Sequence, residues 1–178
     1  MRAPERLETA RLVLRRPQAS DAPAIFARCA SDADVTRWVG WPRHTAIADT
    51  EGFLGFGESE WSRWPAGPYL IERRADGVLV GTTGFSFETP QRAQTGYVLA
   101  RNAWGQGFAT EALRAIVDAA PSLGVVRLYA TCHTGHAASA HVLDKCGFTR
   151  EGVLRRHSVF PNSGVEGPVD VLVYARTW

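Results

Sequence analysis

The sequence predicts a single mixed α/β domain covering residues 1–178, and three observations lead there. Strand-like and helix-like segments alternate along the whole chain instead of clustering by type. No linker, internal repeat or low-complexity tract interrupts them. At 178 residues, 45% of them hydrophobic, the chain can bury a core without disulfides or a structural metal.

Taken in order, the first strand signal is residues 11–15, Arg-Leu-Val-Leu-Arg. A helix follows, with Ser20 as its expected N-cap and Pro23 in the first turn, where a missing N–H costs little. That pattern fades near Ala30, and a second short helix is expected over residues 32–38. Residues 45–62 carry helical spacing at Ile47, Phe53 or Leu54, and Trp61, although glycines interrupt them. From Tyr69 the period changes. Residues 69–72 and 78–81 flank Asp76-Gly77, a good hairpin turn; residues 82–87 extend the second strand and 94–99 supply the next. A strong helix over 108–120 ends at Pro121 and Gly124. Residues 126–132 read as a strand, and 137–146 as a helix closed by Gly147. Two last strands, 152–160 and 169–177, bracket a loop rich in proline and glycine.

Charge and cysteine usage exclude several functions. A net charge of +2 is too even for a nucleic-acid or anionic-membrane surface, so any anionic ligand needs a local device. No stretch approaches a membrane span, and residues 1–6 lack the apolar run of a signal peptide. Cys29, Cys132 and Cys146 show no CxxC spacing, as expected of free thiols in a reducing, cytoplasmic compartment.

The local device is residues 102–111, which leave one strand and open a helix. A helix N-terminus offers unpaired N–H groups and partial positive charge, which suits a phosphate. Gly105 and Gly107 let phosphates reach the backbone, Ala109 keeps that approach open, and Thr110 adds a hydroxyl. The alternative is a tight strand-to-helix turn with no ligand. Neither GxxxxGK[ST] nor the GxGxxG of a dinucleotide fold is present.

Here the chain resembles the GNAT superfamily of N-acetyltransferases, whose loop has the form [Q/R]-x-x-G-x-[G/A]. Trp104-Gly105-Gln106-Gly107-Phe108-Ala109 matches except at its first position. Tryptophan there, followed by Gly-x-Gly-[Tyr/Phe]-Ala-Thr-Glu-Ala, is typical of the branch containing the ribosomal-protein alanine and serine N-terminal acetyltransferases. So are Leu-x-Thr-x-Arg-Leu-x-Leu-Arg from Leu7 to Arg15, Gly96-Tyr97, Asp144-Lys145-Cys146-Gly147-Phe148, and the closing Asp170, Tyr174 and Ala175. The resemblance implies a GNAT-like fold: a central, mostly antiparallel sheet of about seven strands, flanked by helices. The fourth and fifth strands, residues 94–99 and 126–132, would splay apart, with the pantetheine arm of acetyl-CoA pairing between them. Trp104, Gly105, Gln106, Gly107, Phe108, Ala109 and Thr110 would take the pyrophosphate.

The implied chemistry is direct acetyl transfer from acetyl-CoA to a primary amine in a ternary complex. It needs a proton removed from the ammonium, an oxyanion stabilised and a thiolate protonated. Backbone N–H groups near Val98 and Leu99 are the implied oxyanion donors. Many members use a late-helix tyrosine seven residues after an asparagine; those positions here are His136 and Leu143. The branch shows Asn-x-x-Ser, so Ser139 becomes the thiol-side candidate, or else a small helix residue bonded to its own backbone. His136 replaces the asparagine and can donate to a pantetheine or phosphate oxygen. The branch's glutamate before the Gly-Tyr strand is Gln94 here, which leaves Glu88, His157 and Asp170 as candidate bases, or as ordinary solvated side chains. Cys132, His133, His136 and His141 lack a second ligand pair, so no metal is expected.

Trp38, Trp41, Pro42 and residues 53–64 are placed by the resemblance over the acceptor, with Trp61 and Trp64 read as core. Residues 160–168 cover the same pocket from the other side. A protein N-terminus and a small amine both stay open as acceptors, and a homodimer is common among such proteins. The rival reading, motivated by the missing tyrosine and glutamate, is a catalytically degraded acyl-CoA-binding or regulatory module.

Overall fold

The strand-patterned segments join one sheet in a computed structural model that describes residues 1–178. Its strands are β1 (Arg6–Glu8), β2 (Leu12–Arg15), β3 (Pro68–Arg73), β4 (Leu79–Thr89), β5 (Arg92–Leu99), β6 (Arg127–His133), β7 (Thr149–Ser158) and β8 (Val169–Thr177). They lie in the order β1-β2-β3-β4-β5-β6-β8-β7, and every neighbouring pair is antiparallel except β5 and β6. The eighth strand, beyond the seven expected, is β1: three residues are too few to show a period, and it forms by pairing Arg6 opposite Arg15.

The single parallel pair is also the shortest seam in the interior. It runs from Arg92 opposite Arg127 to Gln94 opposite Tyr129 and then stops, whereas β4 and β5 pair along eight positions. Past Gln94 and Tyr129 the two strands diverge, as the resemblance implied.

Helices α1 (Ala22–Ile25), α2 (Ala33–Thr36), α3 (Ile47–Arg63), α4 (Phe108–Ala119) and α5 (Ala137–Lys145) cover the sheet. A π-helical turn, Phe26–Ala30, continues α1. Pro23 sits in the first turn of α1, but Ser20 is not its cap. Instead Asp21 accepts from the Gln18 N–H and holds the Arg15 guanidinium, so a carboxylate makes the turn that a hydroxyl was expected to make. Asp32 caps α2 through the N–H groups of Asp34 and Val35. In α4, Phe108, Ala112, Leu113, Ile116 and Val117 are buried, the helical spacing of one apolar stripe against the sheet. Helix α5 ends on Gly147, with Phe148 N–H donating to Leu143 O and Gly147 N–H to Asp144 O; both flanking apolar side chains are buried.

Candidate active site

Where β5 and β6 part, they leave a cleft of about 880 Å³. It is walled by the C-terminal half of β5, the start of α4, β6, α5, the α2–α3 connection and the end of β7. Gln94 Nε2 donates to Thr131 Oγ1 at 3.5 Å across the point of divergence. Gly81 on β4 lets β5 come close here: a Cβ at that position would lie 2.2 Å from Val98 O.

The glycine loop forms one end of the cleft. Gly105 and Gly107 have φ of +74° and +78°, a region that costs an L side chain energy. Trp104 Nε1 donates to Leu99 O at 2.8 Å, folding the loop back on β5. No acceptor in the protein takes the backbone N–H groups of Gly105, Gln106 or Gly107, and the first-turn N–H groups of α4 follow directly. A run of free donors at a helix start with glycine-bared backbone fits a pyrophosphate. Trp104, Gly105, Gly107, Phe108, Ala109 and Thr110 line the cleft; Gln106 turns away and donates to Asn102 O.

The sequence reading gave Thr9, Arg11 and Glu111 no role. Glu111, in the first turn of α4, accepts from the Thr9 hydroxyl at 2.6 Å, from Arg11 N at 2.8 Å and from Arg11 Nε at 2.7 Å. Arg11 also donates to Gln106 O and lies over the Phe108 ring at 4.7 Å. The opening Leu-x-Thr-x-Arg pattern is thus the tether of the glycine loop. Its signal was present in two motifs quoted separately.

At the α5 wall, Tyr97 OH lies 2.9 Å from both Ser139 O and Ser139 Oγ. Burial pushes the Tyr97 phenol far above its ordinary range, outweighing its bond to Ser139. The Cys132 thiol faces the same Ser139 hydroxyl; burial pushes it up, so it stays protonated. His136, one turn before Ser139, is held below the usual histidine value, first by burial and then by the neighbouring His133. Its imidazole is therefore neutral at neutral pH. Val98, Leu99, His136 and Ser139 all border the cleft.

Other candidates fall elsewhere. Glu88 is exposed, bonded to Tyr129 OH and ion-paired with Arg92, which together hold its carboxylate ionised. His157 is exposed, with Nδ1 2.9 Å from Ser158 Oγ. Asp170 Oδ1 accepts from Arg156 N, holding a bulge in β7 where Arg156 adopts φ +46°. None of the three lines the cleft. His136 stacks on Trp38 at 5.9 Å and His133 lies tilted against it at 4.4 Å, and no three metal-ligating side chains converge. Leu143 is buried where a late-helix tyrosine was absent.

Trp38, Trp41 and Phe160 border the cleft, whereas Trp61 donates to Pro68 O in the core and Trp64 stacks on Phe87. The β7–β8 loop is stapled over this side by Asn162. Its Nδ2 donates to Thr36 O and Trp41 O, and its Oδ1 accepts from Arg43 N, all at 2.9 Å.

A sheet parted between parallel neighbours, with a glycine-turned helix start at the opening, defines an acetyltransferase class. The chain belongs to the GNAT family: residues 11–149 match the acetyltransferase (GNAT) domain. It is 37% identical to the uncharacterized N-acetyltransferase YoaA of Bacillus subtilis (strain 168), covering 95% of this chain and 94% of that one. It is 30% identical to the uncharacterized N-acetyltransferase p20 of Bacillus licheniformis, covering 85% and 86%. The fold matches RimL, the ribosomal L7/L12 alpha-N-protein acetyltransferase in complex with coenzyme A, with a TM-score of 0.85, 24% identity and coverage of 97% and 98%. It also matches the microcin C7 self-immunity acetyltransferase MccE in complex with acetyl-CoA and AMP, with a TM-score of 0.86, 20% identity and coverage of 99% and 98%.

Proposed function

We propose that residues 1–178 form a single N-acetyltransferase domain that moves an acetyl group from acetyl-CoA to a primary amine in a ternary complex. The observation that carries this reading is the parted β5–β6 seam, running from the free N–H groups of the Gly105–Gly107 loop to the Tyr97–Ser139 hydroxyl pair. Acetyl-CoA supplies an acetyl group activated as a thioester. The residues of the chain then divide the work. The glycine loop and the start of α4 bind phosphate, and backbone N–H groups near Val98 and Leu99 stabilise the developing oxyanion. Ser139, oriented by Tyr97, protonates the departing sulfur, and neutral His136 receives the proton lost by the amine. Cys132 is a protonated thiol beside these groups, so no covalent acyl-enzyme is invoked. Three buried, unpaired cysteines support a reducing, cytoplasmic setting.

The test is calorimetric titration with acetyl-CoA, followed by thiol release with a panel of amines. Micromolar binding that Gly107→Glu abolishes, together with thiol release, supports the reading. Binding without release from any amine leaves the acyl-CoA-binding module; no binding overturns both.

A further inference from the structure

The acceptor half of the cleft is built by α2, the α2–α3 connection, α3 and the β7–β8 loop. These elements bring Val35, Trp38, Trp41, Phe53, Phe56 and Phe160 to the cavity. Trp38 and Phe160 meet edge to face at 6.4 Å, and His133 packs against both rings, so this side of the wall is fixed by aromatic contacts of its own. No aspartate or glutamate lines the cleft anywhere. Near the rim, Asp34 is 3.5 Å from the Arg101 guanidinium, and Arg37 lies over Trp38 at 4.9 Å. Within the cavity the basic groups are Lys145, His136 and His141.

From this lining, and resting on the transferase reading, we infer that the acceptor is a primary amine borne on an aromatic or bulky apolar group and carrying no second positive charge. A diamine or polyamine entering this cavity loses hydration from its second ammonium and finds no carboxylate to replace it. An aromatic monoamine buries its ring against the apolar wall formed by Trp41, Phe53 and Phe56, and it brings no second ammonium that needs a carboxylate. In the transfer, the amine nitrogen bonds the acetyl carbon as the carbon–sulfur bond breaks. The ammonium loses its first proton to His136, which passes it to solvent before the attack. The nitrogen loses its second proton to the again-neutral His136 as the amide forms, and the sulfur leaves as a thiolate that is protonated from the Ser139 hydroxyl. The Ser139 proton is restored through Tyr97 and solvent.

The experiment compares phenethylamine, putrescine, spermidine and a Ser-initial peptide at saturating acetyl-CoA, read as kcat/KM for thiol release. Phenethylamine is expected to exceed putrescine and spermidine by about tenfold or more, the discrimination available to an apolar pocket. Phe56→Glu places an acid in the same wall at a side chain already 55% exposed, so the fold tolerates it. That variant is expected to narrow the gap by raising putrescine turnover. Diamines or the peptide matching phenethylamine overturn the inference, as does a Phe56→Glu variant with unchanged preference. If acetyl-CoA binds and no amine releases thiol, the transferase reading fails separately. Calorimetry with the protein–CoA complex then decides the pocket: phenethylamine binding more tightly than putrescine supports it, and equal or absent binding overturns it.

Discussion

Tyr97 has one hydrogen to give and two Ser139 oxygens at 2.9 Å. When it donates to Ser139 Oγ, the serine proton is free for the leaving sulfur of the proposed transfer; when it donates to the carbonyl, it fixes the first turn of α5 instead. Both arrangements position the serine. Tyr97→Phe is therefore expected to lower kcat about tenfold while the KM for acetyl-CoA stays within twofold, and Ser139→Ala to lower kcat further, within the range of general acid catalysis. Equal loss in KM and kcat in steady-state assays would make Tyr97 structural only. His136 gives a pH signature. Its lowered value means the neutral form is present at neutral pH and is lost as pH falls below the ordinary histidine value of 6.5. The kcat profile should fall along that acid limb, and His136→Asn should remove the limb while lowering the plateau. Ser139 was legible because a short motif surrounds it. Tyr97 was quoted in a motif without its partner, because nothing in sequence spacing predicts which of two hydroxyls, on β5 and α5, will meet.

Elements follow the same division between local and long-range causes. Helix α4, the β3–β4 hairpin at Asp76-Gly77 and the Gly147 helix end were readable from period and turn chemistry. Strand β1 and the Asp21 turn were not, because each depends on Arg15 or its strand being in place first. The tether of α4 is also long-range. Burial tends to raise the Glu111 carboxyl, but bonds from Thr9 and from the Arg11 backbone and guanidinium outweigh it and hold it below its ordinary 4.5. A depressed carboxyl stabilises the fold at and above its unfolded value, and that contribution is lost as pH falls through the folded one. Glu111→Gln should therefore weaken acetyl-CoA binding several-fold and flatten the loss of stability below about pH 4.5, seen in denaturant titrations at several pH values. At Gly81 the constraint is space. Gly81→Ala must push Val98 outward, because a Cβ meets its carbonyl at 2.2 Å. Calorimetry should show weaker acetyl-CoA binding, with thermal stability down by about 1–3 kcal/mol.

At the scale of the molecule, the sheet is two unequal parts, β1–β5 and β6–β8, joined by three register pairs. The family resemblance announced which strands part, residues 94–99 and 126–132, but no local pattern records that three pairs ending at Gln94 and Tyr129 still join them. A ligand lying in the gap bridges both parts. At a hundredfold excess over its Kd, acetyl-CoA should stabilise the fold by about 2.7 kcal/mol. Amide exchange should slow over residues 95–99 and 130–133, the strand halves that lie beyond the seam. Slowing confined to the glycine loop would place the arm elsewhere.

The short parallel seam also sets an order of events during folding. The β3–β4 and β4–β5 hairpins close over a few residues, whereas Arg92 finds Arg127 only after α4 has crossed between them. Loops of that length close late, and the strands bearing them pair slowly. The tether at Glu111 can engage as soon as α4 exists, but the gap between β5 and β6 has no second wall until β6 arrives and β8 backs it. On a ribosome, β6 and β8 must emerge before the cleft has its second wall, so the cleft forms after the hairpins of β3, β4 and β5.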